Sequence, residues 1–87
     1  MVTTLQEQFE AAAAASKSLS QKPSNDTLLQ LYSLYKQATE GNASDEKPAN
    51  PFDFVAKAKY EAWVSLKGLP GNEAMQRYID LVKKLSE

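Results

Sequence analysis

The sequence predicts an all-α protein of four helices, and three observations carry that prediction. Four segments place apolar residues at helical steps of three and four, and none shows the sustained alternation of a strand. Capping residues precede the segments. A polar connection over residues 41–53, containing Pro48 and Pro51, parts the second segment from the third.

The first segment opens on Thr4, with Glu7 three residues later, which is the pattern of a capping box. Leu5, Phe9, Ala12, Ser16 and Leu19 follow as its apolar stripe, and Lys22-Pro23-Ser24 ends it. The run Ala11 to Ala15 belongs to this helix, because alanine is the strongest helix former and leaves room for a neighbour or a ligand.

The second segment starts among Ser24 to Asp26, carries Leu28, Leu31, Tyr32, Tyr35 and Ala38, and stops at Gly41. The connection after it exceeds the ~2 to 8 residues common between bundle helices. At ~3.3 Å per extended residue it can run the ~21 Å length of a 14-residue helix, which permits helices two and three to lie parallel. The third helix is expected to start at Asp53 and to bury Phe54, Ala58, Ala62 and Leu66 with Trp63 beside them, closing at Lys67-Gly68. In the fourth, Asn72 is the expected cap, Met75, Ile79 and Val82 the stripe, and Tyr78 its flank. Lys83 and Lys84 complement the negative end of the helix dipole.

Composition narrows the function. The 87 residues, 43% hydrophobic, make one small domain over 1–87. With no cysteine and no histidine, disulfide frameworks, zinc sites and histidine-based hydrolysis are excluded, and no metal or other cofactor is expected. Glu61, Glu73 and Asp80 show no paired or metal-ligand spacing, so acid–base catalysis lacks a candidate. A net charge of −1 offers no broad positive field for nucleic acid or an anionic membrane. The start Met-Val-Thr-Thr-Leu-Gln-Glu lacks a basic region followed by an apolar run, and no stretch approaches the ~18 apolar residues of a membrane span. A soluble cytoplasmic protein without stable membrane insertion is the expectation.

The most informative stretch is YSLYKQATEG, residues 32–41. Positions i, i+3 and i+4 are neighbours on a helix, so Tyr32, Tyr35 and Lys36 share a face that suits a ring beside a phosphate. A tyrosine ring stacks a base for ~1 to 3 kcal/mol, and a lysine ammonium is a compact charge for phosphate. Spacing alone also describes two tyrosines that finish a core stripe with their hydroxyls at the rim, and it favours that packing role. Lys57, Lys59 and Lys67 read first as solvated charges and Tyr78 as packing with a hydroxyl to donate.

YSLYKQATEG, followed by KAKYEAWVSLKG and AMQRYIDLVKKL with Lys22-Pro23 and Leu28-Leu29 ahead of them, resembles the acyl-CoA-binding protein family across essentially the whole chain. The resemblance implies a four-helix up-down-down-up bundle and a monomeric carrier, not an enzyme, whose ligand is a long-chain acyl-CoA. By the matching positions, it implies that Tyr32, Tyr35, Lys36, Lys59 and Tyr78 surround the adenine and 3'-phosphate and that Lys17 approaches the ligand. It further assigns Phe9, Ala13 and Leu29, with Ser33 and Leu34, to the acyl and pantetheine region. Tyr60 stands where the family usually has a tryptophan, Val55 where relatives often carry a lysine, and Ala49-Asn50-Pro51 in place of a glycine-containing sequence, in a connection one residue longer.

The resemblance thus implies reversible binding of medium- to long-chain acyl-CoA, with a pool held for acyl-CoA-using enzymes. Two competing readings are a helical module that offers the Tyr32/Tyr35 face to a partner helix and an accessory domain of an acyl-CoA isomerase; the missing histidine and cysteine argue against the second.

Overall fold

In the computed structural model, which describes residues 4–45 and 47–87, the chain forms helices α1 (Leu5–Ser16), α2 (Asn25–Glu40), α3 (Phe54–Val64) and α4 (Gly71–Leu85). The starts of the first three follow the expected caps. Thr4 Oγ1 accepts from Glu7 N at 3.1 Å while the Glu7 carboxylate accepts from Thr4 N at 3.4 Å, which completes the capping box. Ser24 Oγ accepts from Thr27 N at 3.2 Å, and the Asp53 carboxylate accepts from Ala56 N at 3.0 Å.

Two helix boundaries differ from expectation. α1 stops at Ser16 rather than running to Leu19. The Ser16 hydroxyl donates to Ala13 O at 2.7 Å, a local bond that competes with continued helix, and the serines that follow favour turns. α4 starts before Asn72: Pro70, extended at φ −59° and ψ 144°, occupies the cap position, and its carbonyl accepts from Ala74 N at 3.0 Å. Asn72 therefore lies in the first turn, where its Oδ1 accepts from Glu73 N. Proline fits there because its fixed φ leads into a helix.

α4 packs on both α1 and α2, and α2 packs on α3. α2 and α3 run parallel. The pair Tyr32 and Lys59 and the pair Lys36 and Trp63 meet in the same chain sense on the two helices. α2 and α4 run antiparallel, since Ala38 O lies beside Gly71 while Leu29 and Gln30 share a cleft with Arg77 and Leu81. The long connection makes the parallel arrangement possible, as its length predicts.

That connection is pinned at its start. Gly41, at φ +80°, adopts a backbone conformation that glycine takes without strain, and it terminates α2. Its carbonyl accepts from Trp63 Nε1 at 2.8 Å. Asn42 Oδ1 accepts from both Gln37 Nε2 at 2.9 Å and Gly68 N at 2.8 Å, which joins the ends of α2 and α3. Further along, Tyr60 Oη donates to Ser44 O at 2.7 Å.

The buried core consists of Phe9, Ala12, Leu31, Leu34, Ala74, Tyr78, Ile79 and Val82, all from α1, α2 and α4. α3 contributes no fully buried residue. Its expected stripe is only partly realised: Ala58, Ala62, Trp63 and Leu66 are half-buried, but Phe54 is 72% exposed. The reason is that α3 rests on α2 alone, and no other helix covers its first turn. Tyr78, expected at the flank of the α4 stripe, is instead 4% exposed and central to the core.

Candidate functional site

Two concavities meet along α2. The first is a cleft of about 380 Å³ between α1, α2 and α4, lined by Ala13, Ser16, Lys17, Leu31, Tyr32, Tyr35 and Tyr78. The second is a groove of about 380 Å³ between α2 and the start of α3, lined by Asn25, Leu28, Leu29, Phe54, Val55, Ala58 and Lys59. Tyr32 belongs to the cleft, and Lys59 of the groove places its Nζ 5.2 Å from the Tyr32 ring centroid. The Tyr32–Lys59 pair therefore forms the ridge between them.

The cleft is aromatic on one wall and cationic on another. Tyr35 is 43% exposed, and its ring stacks at 5.5 Å and 28° on Phe9, which fixes one face and leaves the remainder open. Phe9 meets Tyr78 edge-on at 5.2 Å and 70°. Lys17, at the C-cap of α1, lines the cleft with its cationic side chain, while Ala13, half-buried one turn earlier, adds little bulk. Such a site suits a flat ring with an attached anion.

Lys36 follows Tyr35 on α2 and is held in place. Its ammonium donates to the Glu40 carboxylate one turn on and lies 5.0 Å from the centroid of the Trp63 ring. The hydrogen bond to Glu40 raises the Lys36 pKa above the ordinary 10.5; partial burial opposes the rise, and the charges of Glu40, Tyr32 and Tyr35 add to it. Lys36 is therefore a cation at any physiological pH. Tyr32, Lys36 and Lys59 thus gather at the α2/α3 contact.

The remaining expected site residues divide. Lys17, Ala13, Tyr32, Tyr35 and Tyr78 line one cleft, and Leu29 and Lys59 line the adjoining groove. Phe9, 2% exposed, presents no accessible wall and acts as the floor on which Tyr35 rests. Ser33 and Leu34 are buried, and together with Leu29, which also belongs to the groove, they line a third cleft of about 390 Å³ between α2, α3 and α4, beside Ala62, Arg77 and Leu81; Ser33 Oγ donates to Gln30 O at 3.1 Å. The hydroxyl of Tyr78 already donates to Ser16 Oγ at 3.1 Å, so towards the cleft it offers acceptor lone pairs rather than the expected donor.

Three contributors escape the sequence reading. Glu40 is visible only as the i+4 partner of Lys36, and Leu28 and Phe54 become groove walls because, among the described residues, no other helix packs over α3's first turn.

Residues 6–82 match the family model whose description is Acyl CoA binding protein. The chain belongs to this family. It is similar to Enoyl-CoA delta isomerase 2 of Rattus norvegicus, at 51% identity over 93% of this chain but only 20% of that protein. It is also similar to Acyl-CoA-binding protein homolog 1 of Caenorhabditis elegans, at 47% identity over 88% of each chain. The crystal structure of Oryza sativa Acyl-CoA-Binding Protein 2 superposes with a TM-score of 0.88 at 41% identity, covering 94% of this chain and 90% of that one. The four-helix architecture is thus that of the acyl-CoA-binding protein fold. The chain spans about a fifth of the isomerase and most of the Caenorhabditis elegans protein. Among the described residues no helix is long and apolar enough to cross a membrane, and no group of His, Cys, Asp and Glu side chains is placed to hold a metal.

Proposed function

We propose that residues 1–87 form one acyl-CoA-binding unit that takes up medium- to long-chain fatty acyl-CoA reversibly, without catalysis, and holds it in a pool for acyl-CoA-using enzymes. The observation that carries this reading is the junction of the two concavities: an aromatic, cationic cleft opens beside an apolar groove, with Tyr32 and Lys59 between them. An amphiphile with a nucleotide at one end and a chain at the other has that division. Membership of the family adds independent support.

In this arrangement the adenine stacks in the cleft on Tyr32 or Tyr35. The 3'-phosphate lies between Lys36 and Lys59, and Lys17 supplies a further positive charge from α1. The acyl chain follows the groove over Leu28, Leu29, Ala58, Phe54 and Val55. Valine at position 55 leaves this wall uncharged, which favours a hydrocarbon over a second phosphate contact.

Burial of the chain dominates affinity. At about 0.8 kcal/mol per buried methylene, eight methylenes contribute about 6 kcal/mol, or roughly four decades, more than a single lysine contact supplies. Isothermal titration with palmitoyl-CoA, free CoA and palmitate, each below its micellar concentration, tests the proposal. One-to-one binding is expected to be tight for palmitoyl-CoA and orders of magnitude weaker for the other two. Absence of heat or displacement with any CoA ester overturns the proposal and leaves the Tyr32/Tyr35 face to a protein partner.

A further inference from the structure

Two lysines flank Tyr32, and their surroundings differ. Lys59 lies over the Tyr32 ring and forms no ion pair among the described residues. Lys36 is bound on two sides, by the Glu40 carboxylate and by the face of Trp63. Trp63 is itself fixed by its hydrogen bond to Gly41 O at 2.8 Å, so that side of the lysine cannot relax easily. Glu40 is the movable member. It occupies the last turn of α2, and its side chain is 53% exposed.

From this asymmetry we infer that Glu40 is an intramolecular competitor for Lys36, a positioning residue that lowers affinity for the ligand's 3'-phosphate. The inference rests on the acyl-CoA reading above. A phosphate monoester carries a charge of about −1.5 to −2 at neutral pH and offers three acceptor oxygens, so it displaces a single carboxylate from the ammonium. Binding is then an exchange in which the Lys36–Glu40 bond is lost as the Lys36–phosphate bond forms. The freed carboxylate also remains close to the phosphate and repels it. Lys59 has no such debt. Glu40 therefore reduces the contribution of one phosphate lysine and leaves the adenine and acyl contacts untouched.

Titration of the wild type, Glu40→Gln, Lys36→Ala and the double variant with palmitoyl-CoA and with 3'-dephospho-palmitoyl-CoA tests this. Thermal unfolding of each variant checks the fold, which an exposed helix-terminal change should preserve. Glu40→Gln is expected to tighten palmitoyl-CoA by roughly two- to fivefold, the range of an exposed ion pair, and to leave the dephospho ester unchanged. In the Lys36→Ala background the gain should vanish, since the coupling runs through the lysine. An equal gain on both esters, a gain that persists without Lys36, no change, or a loss on palmitoyl-CoA each overturns the inference while wild-type binding keeps the carrier reading intact. A wild type that binds neither ester overturns the carrier reading, and the inference falls with it.

Discussion

Tyr78 Oη donates to Ser16 Oγ at 3.1 Å, and Ser16 Oγ in turn donates to Ala13 O at 2.7 Å. This relay fastens α4 to the end of α1 across 62 positions of sequence and holds the wall that carries Ala13 and Lys17 against Tyr78. Tyr78→Phe removes the link but leaves Ser16 bonded to Ala13 O, so no buried group is orphaned. The expected cost is about 1 kcal/mol, the net worth of a neutral hydrogen bond, which lowers the melting temperature of a domain this size by about 4 to 8 °C. Calorimetry decides it. An unchanged melting temperature would mean that the relay contributes nothing.

Phe9 and Phe54 are both aromatic, yet opposite outcomes are expected from replacing them. Phe9 is 2% exposed and contacts Tyr35 and Tyr78, so Phe9→Ala leaves a cavity worth about 3 to 5 kcal/mol of stability. Phe54 is 72% exposed at the wall of the groove, and Phe54→Ala should move stability by no more than about 0.5 kcal/mol. Its effect should appear in binding: weaker affinity for palmitoyl-CoA and little change for free CoA. Denaturant unfolding paired with titration separates the two. A Phe54→Ala variant that binds both ligands like the wild type would remove the groove from the acyl path.

Local patterns account for most of what was readable in the sequence. Thr4 with Glu7, Ser24 and Asp53 mark three helix starts because each cap bonds within three residues, and Gly41 marks a stop because of its backbone freedom. What escaped depends on partners distant in sequence. Gln37 is buried because its amide meets Leu69 O at 2.9 Å, 32 positions away, and no helical periodicity announces that. Tyr78 sinks into the core for the same kind of reason, through Ser16 and Phe9. The face formed by Tyr32, Tyr35 and Lys36 was visible from spacing. Its division into a stacking cleft and a ridge toward Lys59 was not, because it requires the parallel packing of α3.

Lys59 is poised by the Tyr32 ring rather than by a carboxylate, so it is available to an anion without an exchange. Lys59→Ala is expected to weaken palmitoyl-CoA by about ten- to a hundredfold, the loss of one charge-assisted hydrogen bond of roughly 1.5 to 3 kcal/mol. The dephospho ester should lose far less. Titration of both esters supplies the comparison, and equal losses on the two would reject the assignment of Lys59 to the 3'-phosphate.

The Lys36–Glu40 pair makes a small part of the stability depend on alkaline pH. Glu40 raises the folded-state pKa of Lys36 above 10.5, so folding binds this proton more tightly than the unfolded chain does. For a cation whose pKa rises on folding, the contribution is fully present below the unfolded value and is lost as pH climbs through the folded one. From neutral pH upward the wild type should therefore exceed Glu40→Gln in stability by a constant amount, and on that side the difference should shrink only above about 10.5. The screening expected of a pair with side-chain exposures of 25% and 53% keeps that amount small and sensitive to salt. Urea unfolding of both proteins across that range reads the difference directly. On the alkaline side of neutrality, a gap that closes before the ordinary lysine pKa of 10.5 is reached would show that the stabilising partner of Glu40 is not Lys36.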